Sequence, residues 1–160
     1  MQNKVNPIPD RYGNVTPYLI IGNASRALEF YKRVFGGIEE MRMEMPGGKI
    51  GHAEIRIGKS IIMLSDECPE MEARSPQSIG GSPVHMYLYV EDADATVEKA
   101  IKSGARVLQS VEDKFYGDRA GCIADPFGHV WSIATHKEDL SPDEMKKRAD
   151  SAMAEMAGAK

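Results

Sequence analysis

Four histidines, His52, His85, His129 and His136, are the groups in this 160-residue sequence best suited to proton transfer or metal ligation. Their neighbours decide which of them can act. His85 stands in VHMYLYV, residues 84–90, whose strand-like period puts His85, Tyr87 and Tyr89 on one face and Val84, Met86, Leu88 and Val90 on the other. The apolar set needs a core beneath helices. That frees His85 to act as an acid, base or ligand, and leaves Tyr87 and Tyr89 to offer ring surface to a bound molecule. His52 stands in GHAEIRI, where alternation groups His52, Glu54 and Arg56 against Ala53, Ile55 and Ile57. His52 and Glu54 can share a metal ion with His85, or Arg56 can pair with Glu54 to make a polar wall. His129, directly after Gly128 in the turn DPFGH, is expected to serve the turn, and His136 to lie on the surface.

A second concentration of functional groups is FYGDRAG, with the aromatic rings of Phe115 and Tyr116 next to the opposite charges of Asp118 and Arg119. Arginine suits bidentate capture of a carboxylate or phosphonate. Adjacent strand residues point to opposite faces, so Asp118 and Arg119 share a site only where a bulge re-aims one of them. Met43, Met45, Met63 and Met86 add adaptable apolar surface of the kind that fills cores or lines ligand cavities.

The elements that position these residues come from an internal repeat. A shift of 69 residues lays the stretch beginning at Val15 over that beginning at Val84, with Tyr18/Tyr87, Leu19/Leu88, Ala24/Ala93 and Glu29/Glu98 identical. Each half reads as strand, helix and three more strands. The helices are capped by Asn23 and Asp92 and end at Gly36-Gly37 and Gly104. The remaining strands fall at residues 38–45, 49–57 and 60–66, then 106–113, 118–125 and 129–135. This gives an N-terminal extension over 1–14, modules over 15–66 and 84–135, a linker and flap over 67–83, and a helical tail over 136–160. Ser141-Pro142-Asp143-Glu144 has the form of a capping box that opens the tail helix.

Composition narrows the function class. A net charge of -4 with scattered Lys and Arg gives no basic field for a phosphate backbone, so nucleic acid is not expected as a partner. No apolar run approaches membrane-spanning length, and no signal segment opens the sequence, so neither membrane insertion nor secretion is expected. With two cysteines, Cys68 and Cys122, read as small buried or half-buried side chains, a reduced cytoplasmic location follows.

ALEFYKRVFGG, GHAEIRIGKSIIMLSDE, LYVEDADA, FYGDRAG and DPFGHVWSIATHKEDLSPDEM resemble the vicinal oxygen chelate superfamily, which includes glyoxalase I, bleomycin and fosfomycin resistance proteins and extradiol dioxygenases. The likeness spans residues 15–135 and is greatest to the PhnB-like branch. It implies an α+β fold of two tandem βαβββ modules forming a concave mixed sheet, a small molecule held in a cavity between the modules, and a homodimer. Substrate contacts then fall to Tyr87, Tyr89, Glu54, Arg56, Tyr116, Asp118, Arg119, Met63 and Ser132, and catalytic roles to His85 and His52. The positions matching the superfamily's metal ligands are Thr16, Met63, His85 and Ser132, of which only His85 ligates strongly, whereas a catalytic divalent site commonly needs three protein ligands. No cofactor is expected on this reading. The alternative is a divalent metal in a displaced site around His85 and His52, serving a lyase, isomerase or dioxygenase.

Overall fold

A computed structural model of the protein describes residues 5–158, in two compact units that divide between Ser82 and Pro83. The first unit contains β1 (Tyr18–Ile21), α1 (Ala24–Phe35), β2 (Ile38–Glu44), β3 (Ile50–Ile57) and β4 (Ser60–Asp66), then a 3-10 turn at Pro69–Met71 and the short α2 (Pro76–Ile79). The second contains β5 (His85–Tyr89), α3 (Ala93–Lys102), β6 (Arg106–Asp113), β7 (Asp118–Ala124), β8 (Val130–His136) and α4 (Pro142–Gly158). Each unit is thus βαβββ. The sheet orders are β1-β4-β3-β2 and β5-β8-β7-β6, with β1 parallel to β4, β5 parallel to β8, and the other pairs antiparallel.

Local chemistry sets the helix limits. The Asn23 side chain accepts the Arg26 backbone N–H at 3.0 Å, and Asp92 does the same for Ala95 at 2.9 Å. Gly36, at φ 65, takes the left-handed conformation that stops α1. Residues 67–83, expected to be an aperiodic linker, carry more structure than that. Ser75 caps α2, while the Glu67 carboxylate accepts from Ser75 N (2.9 Å) and Ser78 Oγ (2.7 Å). Ser141 accepts the Glu144 N–H at 3.2 Å, as the capping box predicts, but the Glu144 carboxylate turns to Arg148 rather than back to the cap.

One face of each sheet packs on its helix. In the first unit, Leu19, Ile21, Ala53, Ile55 and Leu64 are buried with Leu28, Tyr31 and Val34 of α1. In the second, Ile123, Trp131 and Ile133 are buried with Val97 and Ala100 of α3. The parity expected for β5 holds: His85, Tyr87 and Tyr89 are exposed, and Met86, Leu88 and Val90 are half-buried. Val84 is a correction. It precedes β5 and is 63% exposed, because the chain has not yet reached the strand that the helix covers.

The repeat is imperfect on its middle strands. Met63 pairs with Glu54 while its counterpart Ser132 pairs with Cys122, so the offset of 69 on β4/β8 becomes 68 on β3/β7. One extra residue in the β7–β8 turn restores the offset of 69 on β8, and Asp125 organises that turn. Its buried carboxylate accepts from Phe127 N (2.9 Å), His129 N (3.0 Å) and Trp131 Nε1 (3.0 Å), fixing the loop and the largest core side chain together. His129 is buried in this turn, in keeping with its expected structural role.

His136, expected simply at the surface, fastens the chain beyond β8. Its Nδ1 meets Asp118 Oδ1 at 2.8 Å and its Nε2 meets Asp139 Oδ1 at 2.9 Å. Gly117 O accepts from Lys137 N and Glu138 N at the same place, and a Cβ on Gly117 would stand 2.6 Å from Glu138 O. The hydrogen bonds to Asp118 and Asp139 raise the His136 pKa above its ordinary value. Beyond this clasp α4 contributes no buried side chain, and no helix among the described residues is long and apolar enough to cross a membrane.

Asp125→Ala should cost roughly 2–4 kcal/mol in equilibrium denaturation, because several buried donors lose a charged acceptor at once. The His136 clasp should contribute stability fully below its unfolded pKa of about 6.5 and lose it as pH rises through the higher folded value. Thermal midpoints should therefore fall on going from about pH 6 to pH 8, and His136→Gln should remove most of that dependence.

Candidate functional site

Strand alternation puts His52, Glu54 and Arg56 on the face of β3 turned away from α1, as the sequence predicts, and cross-strand register adds Tyr18 and Met63 to the same surface. Glu54 is the centre of this group. It is 2% exposed, and its oxygens accept from Tyr12 Oη at 2.5 Å and Arg11 Nη2 at 2.7 Å, with His52 Nε2 at 3.4 Å. Burial pushes the carboxyl pKa up, but the hydrogen bonds from Tyr12 and His52 and the Arg11 charge carry it below the ordinary range, so Glu54 is an anion. The Tyr12 phenol is pushed up in turn, chiefly by donating to Glu54.

The expected Arg56–Glu54 pair is a correction. Arg56 Nε instead donates to Glu40 Oε1 at 2.6 Å, and Glu54 takes its cation from Arg11, which also reaches Glu40 at 2.7 Å. Arg11 and Tyr12 belong to the segment before the repeat and have no periodicity, so nothing in the pattern pointed to them. Tyr18 was legible in principle, because it is the repeat counterpart of Tyr87. Its hydroxyl lies 3.0 Å from His52 Nδ1.

Beside this cluster lies a pocket of about 540 Å3 contained entirely in the first unit. Tyr18, Ile20, Ile50, Met45 and Met71 supply much of its apolar wall, and the 3-10 turn after β4 forms one side. Lys49, Asp66, Glu67 and Glu70 add charge to the lining. Such a volume and such a wall suit a compact organic ligand.

The second unit gathers a different set. Asp118 is 4% exposed, and its Oδ2 accepts from Tyr89 Oη at 2.8 Å and Tyr87 Oη at 3.4 Å, while Tyr116 Oη lies 3.5 Å from Tyr87 Oη. Burial raises the Asp118 pKa, yet the hydrogen bonds from His136 and Tyr89 outweigh it and leave the group below its ordinary value. Burial, followed by the bond to Tyr116, pushes the Tyr87 hydroxyl up. The Tyr87 and Tyr89 rings lie 5.3 Å apart and tilted by 47°.

Arg119 does not join them. Alternation turns it to the other face, where it donates to Asp94 through Nε (2.6 Å) and Nη2 (2.8 Å) and to Asp113 through Nη1 (3.2 Å), bracing α3 rather than facing the tyrosines. Ser132 sits between Tyr87 and Cys122 in register, and Cys122 is a buried thiol whose pKa burial raises. His85 is exposed at the start of β5, opposite Val130.

The side chains at the superfamily's ligand positions fit a metal poorly. Met63 lies beside Glu54 and Tyr18, Ser132 beside Tyr87 and Cys122, and among the described residues no three His, Cys, Asp or Glu side chains gather into a metal-binding group. His52 is drawn to Tyr18 and Glu54 within its own sheet.

Known proteins agree with this architecture. An uncharacterized protein of Mycobacterium bovis is 38% identical over 135 residues, covering 82% of this chain and 89% of that one. The structure of the Arabidopsis thaliana gene product At5g48480 matches with a TM-score of 0.62 at 27% identity, over 77% of this chain and 98% of that chain. The crystal structure of TioX from Micromonospora sp. ML1 matches with a TM-score of 0.60 at 25% identity, over 81% of this chain and 100% of that chain. A family model matches residues 11–133, and with the paired βαβββ sheets it establishes that the chain belongs to the Glyoxalase/Bleomycin resistance protein/Dioxygenase superfamily.

Proposed function

We propose that this chain is a cytoplasmic small-molecule-binding protein that holds a compact, largely apolar ligand without a resident metal. The observation that carries this reading is the pocket of about 540 Å3 in the first unit, whose volume falls within the usual range for ligand sites. Methionines at its rim supply side chains that adapt to ligand shape. The single strong ligand at the superfamily's metal positions, His85, supports metal-free binding, and both cysteines are free thiols, in keeping with a reducing compartment.

The neutral fluorophore Nile red should bind saturably at one site per chain. Met71→Asp, a change at a 79% exposed residue of the pocket wall, should weaken that binding about tenfold or more by placing a charge against the apolar ligand, with little effect on folding. Elemental analysis of protein purified without chelator should find no stoichiometric Zn, Ni, Mn or Fe. A full metal complement that disappears in His85→Ala would replace this reading with a displaced metal site.

A homodimer completes the proposal. Met41 and Met43 on the edge strand β2, Val107 and Leu108 on the edge strand β6, and Met153 and Met156 of α4 leave apolar surface exposed at edges that pairing would cover. Sedimentation at micromolar concentration should show a species of twice the 17.6 kDa chain mass, and a purely monomeric boundary would remove the dimer.

A further inference from the structure

Tyr18, His52 and Glu54 form a continuous line from the pocket wall along the face of the first sheet turned away from α1. Tyr18 lines the pocket and is 46% exposed, and its hydroxyl is 3.0 Å from His52 Nδ1. His52 Nε2 is 3.4 Å from Glu54 Oε1, and Glu54 is 2% exposed. An ionised carboxylate only accepts hydrogen bonds, so Glu54 fixes the imidazole proton on Nε2. The lone pair of Nδ1 is then directed at the Tyr18 hydroxyl. A base held in one tautomer by a buried carboxylate, with its free nitrogen on the hydroxyl of a residue that lines a pocket, is the geometry of an activated acid–base group.

We infer that Tyr18, His52 and Glu54 form a metal-free proton relay that tautomerises a neutral carbonyl compound bound in the pocket. This inference rests on the pocket being a ligand site. As a C–H bond beside the carbonyl breaks, its proton passes to Tyr18 Oη while the Tyr18 O–H proton passes to His52 Nδ1. The C–H electron pair becomes the enolate double bond, and charge moves to the carbonyl oxygen. Glu54 stabilises the imidazolium that results, and Lys49 brings a positive charge to the same pocket for the enolate oxygen. The proton then returns through Tyr18 to the oxygen or to a carbon. Nothing is oxidised or reduced, and the protein ends in its starting protonation state. Tyr18 is the catalytic residue, His52 the base behind it, and Glu54 a positioning residue.

The second unit sharpens the assignment. Tyr87 is the repeat counterpart of Tyr18, but the residue corresponding to His52 across the slipped register is Ala120, so Tyr87 has no imidazole behind it. Arg11 donates to Glu54 Oε2 and Tyr12 shares Oε1 with His52, and together they keep Glu54 ionised, so the relay uses residues from both the repeat and the segment before it.

Phenylacetone, a neutral aromatic ketone, is the probe. Displacement of Nile red reports its entry into the pocket, and loss of its α-proton signal in deuterated water reports the relay. Protein-dependent exchange should exceed that in buffer and fall to the buffer rate in His52→Gln. Tyr18→Phe, measured at phenylacetone concentrations that fully displace Nile red from the variant, should cut exchange by about 100-fold or more. Nitrogen NMR of the full chain should show His52 protonated on Nε2 and bare on Nδ1. The opposite tautomer, or displacement without exchange above buffer, would overturn the relay and leave the binding function standing. Failure of phenylacetone to displace bound Nile red would overturn the relay alone, and failure of Nile red to bind would overturn the pocket reading and the relay with it.

Discussion

Everything in this fold depends on the pleat of two four-stranded sheets, each with a single helix of its own module to cover it. A helix buries one sheet face, and alternation sends every second residue to the other. Apolar residues at the positions of Leu19, Ile21, Ala53 and Ile55 therefore commit their neighbours Tyr18, His52 and Glu54 to the uncovered side. The functional surface is the complement of the core, and a one-residue slip of any strand would exchange the two.

Placing polar groups on that side creates a second requirement. Glu54 and Asp118 are both nearly inaccessible, and a buried carboxylate is tolerated only with donors around it. The two units satisfy theirs differently. Glu54 draws on a guanidinium, a phenol and an imidazole, whereas Asp118 draws on two tyrosines and His136. Near-identical sheets thus carry distinct chemistry. The first has an imidazole next to a pocket, and the second an exposed aromatic pair.

Most of the architecture was legible in the sequence because it is carried by signals of short range: the caps at Asn23 and Asp92, the two-residue period of VHMYLYV and GHAEIRI, and the repeat itself. Strand limits came within a residue or two. The site was less legible because its partners are remote in the chain. Pairing Arg56 with Glu54 was reasonable for neighbours on one strand face, but Glu40 on the adjacent strand was nearer to the guanidinium, and Arg11 reached Glu54 across more than forty residues. His136 was missed for a related reason: a histidine just past the expected strand end shows no sign of the aspartate it faces until β7 and β8 are paired. The single offset of 69 could not reveal the slip on β7 either, since one residue in a turn leaves the periodicity of each strand intact.

The hold of Arg11 and Tyr12 on Glu54 separates the unit that recurs in the sequence from the unit that satisfies its own buried charge. The recurring piece begins at Val15, yet a chain trimmed to that point would bring its sheet together around an anion stripped of its strongest donors. The second half meets the same position differently: the residue facing Ser132 there is Cys122, a buried thiol that carries no charge to neutralise. An acid at this point of the sheet therefore depends for its donors on residues outside the repeat.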